Sequence, residues 1–131
     1  MTRVHELSAP LGRILISLIF VTSGFGKISA YAGTQQYMEA MGVPGALLPL
    51  VIALEILGGL AVMLGWHARI AAFLLAGFSL LSALLFHFDF SDQMQSIMFM
   101  KNLSIAGGFL LIVAFGAGAY SLDRRVGRTG D

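Results

Sequence analysis

Glu55 is the residue best placed to do chemistry in this sequence. It is the one formal charge between Glu39 and Arg69, in the setting Leu54-Glu55-Ile56-Leu57-Gly58-Gly59-Leu60. A carboxylate in so apolar a segment is costly to bury, so it is expected to turn towards the protein interior and find a partner. Lys27 and Lys101 are the cations able to answer it, and His87 and the amide of Asn102 add polar groups on other apolar segments. Together these five could orient a lipophilic molecule, carry a proton, or pin helices to one another.

Other chemistries are excluded or disfavoured. The chain has no cysteine, which rules out a disulfide relay, a thiolate metal site or an Fe–S cluster formed by this chain. Any redox chemistry must then belong to a bound molecule or a partner. Met38, Met41, Met94, Met98 and Met100 are five of the seven methionines and fall near His87 at one end of the expected fold. Thioethers with imidazole suit Cu(I), but flexible methionine more often packs on adaptable apolar surfaces, and no metal is expected. A net charge of +1 without a basic stripe argues against nucleic acid as a partner.

The elements that position these groups follow from hydropathy. Of 131 residues 57% are hydrophobic and 11% charged, and the mean hydropathy is +0.85, far from the composition of soluble domains. Residues 70–88 and 102–122 carry no formal charge, and each is long enough to cross a hydrocarbon core of about 30 Å. Two more spans emerge once a single buried charge is allowed in each, Lys27 in one and Glu55 in the other. The expectation is an all-α membrane protein, a single domain with spans at 11–30, 47–64, 68–87 and 97–118 and a cytoplasmic tail at 119–131. The short connection Gly65-Trp66-His67 makes neighbouring spans lie side by side, giving an antiparallel four-helix bundle.

Basic residues set the orientation. Arg3, Arg13, Arg69, Arg124, Arg125 and Arg128 gather on one side, whereas Lys27 and Lys101 on the other stand beside Glu39, Asp89 and Asp92. The positive-inside rule then places both termini in the cytoplasm. Thr22-Ser23-Gly24 loosely fits a signal-peptide cleavage site, but cleavage would discard the helix of Lys27 and leave three spans, so that reading is rejected. Residues 31–46 form the long outer connection, expected to hold a short interfacial helix with Tyr37 and the methionines towards lipid and Gln35 or Glu39 towards water. This helix would cap the space beneath it. Trp66 and Tyr120 at one boundary, and Tyr31, Phe88 and Phe90 at the other, fit an aromatic belt.

Helical spacing sorts the remaining side chains. Arg13, Ile16, Phe20, Ser23 and Lys27 share one face of the first helix, and Arg69, Phe73, Ala76, Leu80, Ala83 and His87 line up on the third. With a rise of about 1.5 Å per residue, Glu55 lies roughly 12 Å and Lys101 roughly 6 Å below the outer boundary. The expectation is a ligand pocket in the outer half of the bundle formed by Glu55, Lys101, Lys27, His87 and Asn102. Glu55 and Lys101 would be its floor and its buried ion pair, and two lysines against one glutamate favour a lipophilic acidic, phenolic or quinone-like ligand. The competing expectation is an ion pair that only fixes helix register. Gly24, Gly26, Gly58, Gly59, Gly107 and Gly108 are expected to serve close helix packing.

Several of these residues also carry a resemblance. Arg13 with Ser23-Gly24-Phe25-Gly26-Lys27, Gly42-Val43-Pro44, the run from Glu55 to Gly59 followed by Gly65, Arg69, and the closing Gly116 to Asp123 resemble the DoxX family of small bacterial membrane proteins. The likeness covers nearly the whole chain and extends, over 31–45 and 98–103, to an enterobacterial inner-membrane branch of the family. It implies a four-helix fold in the inner membrane. Relatives occur in membrane oxidoreductase assemblies, one as a subunit of a thiosulfate:quinone oxidoreductase, so the resemblance implies a quinone ligand or a redox partner subunit. It brings no catalytic motif. The chain is therefore expected to be an accessory, non-catalytic component of quinone-linked or oxidative-stress redox metabolism, in contact with membrane lipid. Alternatives are an assembly partner of another membrane protein, a homo-oligomer, or a proton-coupled exporter of small aromatics that would need to dimerise.

Overall fold

Local chemistry sets where the helices start and stop. A computed structural model of the chain describes residues 3–127, and Arg128, counted above in the basic tail, lies outside them. Helix α1 runs Arg3–Ser29 and so begins well before its apolar stretch. After a break at Ala30 the chain re-enters α2, Tyr31–Ala40. The second span is one continuous coil of mixed pitch: a 3-10 turn Gly45–Leu47, α3 Leu48–Ala53, a π turn Leu54–Gly58 and α4 Gly59–Leu64. Gly65 ends it with φ +71, a left-handed conformation that glycine adopts without steric cost. The stop is completed by the Trp66 N–H, which donates to the Ala61 carbonyl at 2.8 Å.

Helix α5 is Ala68–Phe86 and α6 is Gln93–Phe115. The latter starts earlier than its hydropathy implies because Asp92 caps it, its carboxylate accepting from the Met94 N–H at 3.0 Å. It stops early because Gly116 turns the chain at φ +79. A last short helix, α7 Leu122–Arg125, is capped by Ser121.

Among the described residues, four helices are long and apolar enough to cross a membrane: Glu6–Ser29, Gly45–Leu64, Ala68–Phe86 and Gln93–Phe115. No strand occurs among the described residues. Leu15, Leu50, Phe73, Leu111 and Phe115 are exposed, and this outward apolar surface suits lipid as its solvent. The core is small and joins Phe20, Val62, Leu75 and Phe109 through alanines of α5 and α6. Phe20 meets Phe109 at 5.5 Å and Phe78 edge-on at 6.4 Å.

On α1 the expected inward face holds, with Arg13 and Phe20 buried and Ile16, Ser23 and Lys27 half-buried. On α5 it shifts. The buried line is Ala68, Ala72, Ala76, Ser79 and Ala83, while Phe73 and Leu80 point out. Small side chains take the contact with α6, the most extensive helix pair in the fold, and bulky ones are left for lipid.

Gly24, Gly59 and Gly108 pack as expected: a β-carbon would come within 2.5 Å of Ile56, 2.8 Å of Val21 and 2.6 Å of Ile16 respectively. A β-carbon at Gly26 or Gly107 would meet nothing within 4 Å, so close approach of another helix does not require glycine at either position.

Candidate functional site

The end of the fold that holds Lys27 has a partly open cavity of about 500 Å³ between the four spans. Its walls are mostly apolar, with Phe20, Leu54, Phe78 and Ile105 among them, and its polar lining includes Lys27, Glu55, Ser79, His87, Lys101 and Asn102. The five residues singled out from sequence thus share one cavity. Its size and its few convergent polar groups are those of a small-molecule site.

The carboxylate is placed by the π turn. Leu54–Gly58 is wound one residue wider than an α-helix, a local irregularity that recurs at functional sites. Glu55 is only 4% exposed, and its Oε1 meets Lys27 Nζ at 3.0 Å. Lys27 Nζ also donates to Ser23 Oγ at 2.6 Å, one helical turn away, and the Ser23 hydroxyl reaches Glu55 Oε1 at 3.5 Å. The expected Glu55–Lys101 pair is therefore corrected: Lys27 is the partner of the carboxylate. α1 packs directly on the π turn and on α3 and α4, whereas α6, which carries Lys101, lies chiefly along α5. Lys101 shares the cavity but is exposed.

The other polar groups are tied to the wall. His87 Nδ1 lies 2.7 Å from Gln95 Oε1, and Asn102 Nδ2 donates to the Ser79 carbonyl at 3.2 Å, joining α6 to α5. The Ser79 hydroxyl is buried and, among the described residues, has no hydrogen-bond partner.

The roof comes from α2. Thr34, Tyr37, Met38 and Val43 line the cavity. Gln35 Nε2 donates to the Gly45 carbonyl at 3.1 Å, and the Tyr37 ring stacks on Phe86 at 5.4 Å. The capping expectation holds in this form, but the assignment of faces changes. Met38 is buried at 5% exposure rather than turned outward, because the cavity beneath α2 gives its thioether an apolar bed. Gln95 and Ser79 were not legible as site residues. Ser23 was legible only as sharing the helix face of Lys27, not as a site residue.

Glu55→Gln tests the couple. The amide keeps the shape but leaves the ammonium without its counter-charge. A loss of about 1–2 kcal/mol is expected, reduced from the fully buried case because the Lys27 side chain is 27% exposed and its flexible stem can carry the ammonium out to water. The midpoint of unfolding in mixed micelles would measure it, and an unchanged midpoint would show that the pair contributes nothing to stability.

A second polar assembly lies at the opposite end of α1. Arg13 is 3% exposed, and its Nη1 donates to the carbonyls of Val62 at 3.2 Å and Met63 at 2.9 Å, while Nη2 donates to the Tyr120 carbonyl. Asp123 acts on it electrostatically. The Asp123 carboxylate accepts from the backbone N–H groups of His67 at 2.7 Å and Ala68 at 2.8 Å. Its own N–H donates to the Gly65 carbonyl at 2.8 Å. This lock ties α1, the end of α4, the start of α5 and the segment after α6 together, leaving the cavity at the other end.

Comparison with known proteins follows the same residues. The DoxX family model matches residues 9–88, a stretch that includes Arg13, Lys27, Glu55, Gly65 and His87 and stops before the fourth span. The chain is 56% identical over 124 residues to Inner membrane protein YqjF of Escherichia coli, covering 95% of each chain. It is 38% identical over 122 residues to Inner membrane protein YphA of the same organism, covering 88% of this chain and 87% of that one. A Bacillus subtilis protein named Putative oxidoreductase CatD is 30% identical over 76 residues, 58% of this chain and 57% of its own. No solved structure matches. With the family model spanning more than half its length and a relative matching from end to end, the chain belongs to the DoxX family.

Proposed function

We propose that this protein is a ligand-binding accessory component of the inner membrane, acting in quinone-linked or oxidative-stress redox metabolism and not itself a catalyst. In this reading it is a single domain, an antiparallel bundle with both termini in the cytoplasm and the cavity in the outer half. Lys27, Glu55, His87, Lys101 and Asn102 are the polar contacts of a lipophilic acidic, phenolic or quinone-like ligand. One observation carries it: a cavity of about 500 Å³, apolar over most of its wall, into which these groups converge from all four spans. The names of the relatives agree in part, since two are inner membrane proteins and one is a putative oxidoreductase.

The Lys27–Glu55 couple favours a second role alongside the first. It links α1 to the second span at 3.0 Å, so it also serves assembly of the bundle and the docking of a partner subunit or second copy onto a fixed surface. Occupancy of the cavity separates the readings. Ser82 lines the cavity, and Ser82→Phe would narrow it. Mass spectrometry of organic extracts should then find a lipophilic compound with the wild type and less of it with the variant. Extracts that hold the same compounds in the same amounts, phospholipid included, would leave the scaffold role alone.

A further inference from the structure

The charges that line the cavity do not balance. Lys27 and Glu55 neutralise one another. His87 and Asn102 are engaged with Gln95 and with the Ser79 carbonyl. Lys101 lines the same cavity and, among the described residues, enters no ion pair.

The carboxylates at this end of the fold are not paired with Lys101. Asp89 accepts from the N–H and hydroxyl of Ser91, Asp92 caps α6, and the Glu39 carboxylate lies beside Gly45. Nor is Lys101 a helix-end residue. α6 begins at Gln93, so Lys101 lies roughly 12 Å along its axis, more than two turns in. Its side chain is exposed and lines the cavity, so the ammonium is open to an anionic oxygen entering there, and among the described residues no carboxylate pairs with it.

We infer that Lys101 is the receptor for an anionic oxygen group, so that the ligand of this cavity is an amphiphilic monoanion with its apolar body among Phe20, Leu54, Phe78 and Ile105. This rests on the proposed reading of the cavity as a ligand site and narrows it from acidic, phenolic or quinone-like molecules to those carrying a negative charge. The anion is either that of a small amphiphile or the phosphate of a lipid headgroup, since both present the same oxygen chemistry to an ammonium. Lys27 is not the receptor, because its charge is already cancelled by Glu55.

The test uses the full chain in nanodiscs of phosphatidylcholine, with empty nanodiscs as the partition blank, and two matched probes: 2-naphthoate and its neutral amide. Wild type should bind the carboxylate roughly tenfold more tightly than the amide, the value of one charge-assisted hydrogen bond, and Lys101→Met should erase that preference while keeping amide affinity. If phosphatidylglycerol in the nanodisc suppresses naphthoate binding to the wild type, the inference stands with a lipid as the source of the anion. No suppression identifies a small amphiphile. Equal binding of both probes, unchanged by Lys101→Met, would overturn the inference and leave the cavity a ligand site. If neither probe binds the wild type, either in these nanodiscs or in maltoside micelles that carry no phosphate, the ligand-site reading itself falls.

Discussion

Arg13→Met is expected to destabilise the protein by about 3–5 kcal/mol, the cost of removing one member of a buried, hydrogen-bonded charge assembly. The guanidinium is almost fully buried, donates to three backbone carbonyls and lies within electrostatic reach of Asp123. Methionine fills similar volume and supplies no donor. The carbonyls of Val62, Met63 and Tyr120 then lose these bonds in surroundings where water is scarce. Reversible unfolding in mixed micelles, followed by the fluorescence of the lone tryptophan, Trp66, reads the lock directly, since Trp66 adjoins Gly65. Wild-type stability in this variant would mean that the carbonyls find other donors and that the lock is not a folding element.

Gly65→Ala should cost about 2–4 kcal/mol, combining the strain of a positive φ in a residue with a side chain and the penalty of overpacking. At φ +71 a β-carbon would stand 2.4 Å from Ser121 Cβ and 2.7 Å from Arg13 Nη1. Ser121 caps α7 and Arg13 is the centre of the lock, so neither can step aside without breaking a bond described above. The same unfolding assay measures the loss. Gly107→Ala is the control, because a β-carbon there meets nothing within 4 Å. It should match or slightly exceed the wild type, since alanine favours helix over glycine.

Much of the site was legible because membranes simplify the reading. Long apolar runs have few alternatives to spanning helices, and an isolated carboxylate inside one must look inward, which placed Glu55 correctly. Spacing of three and four along α1 brought Phe20, Ser23 and Lys27 to the same face. What failed was relations between helices. Lys27 and Lys101 are both near the same end of the fold, and only the packing of α1 on the π turn, with α6 held beside α5, decides that Lys27 takes the carboxylate. The π turn itself has no periodic signature, and it shifts the face of every residue after it.

On α5 the line through Phe73 and Leu80 ran one step from the true contact line, because Ala72, Ala76 and Ala83 permit a closer approach than any aromatic. The lock was missed for a different reason. Arg13 scored as a positive-inside charge and Asp123 as part of a terminal motif, and nothing local says that residues so far apart in sequence meet at Gly65.

The two polar assemblies divide the work of the fold. Arg13, Gly65 and Asp123 fasten the helices at one end with hydrogen bonds. At the other end the spans part around the cavity, and α2 closes over it through Gln35 and Tyr37. A fastened base and a roofed cavity are the arrangement on which the proposed ligand-binding role rests.

That claim is tested most directly by what the protein carries out of the membrane. Wild type and Ser82→Phe, purified in a neutral detergent and compared at equal folded amounts, would be extracted into organic solvent and analysed by mass spectrometry. The account predicts one lipophilic compound near stoichiometry with the wild type and depleted in the narrowed variant, a bound phospholipid counting as such a compound. Matching extracts, in which no compound differs in amount between the wild type and the narrowed variant, would contradict it.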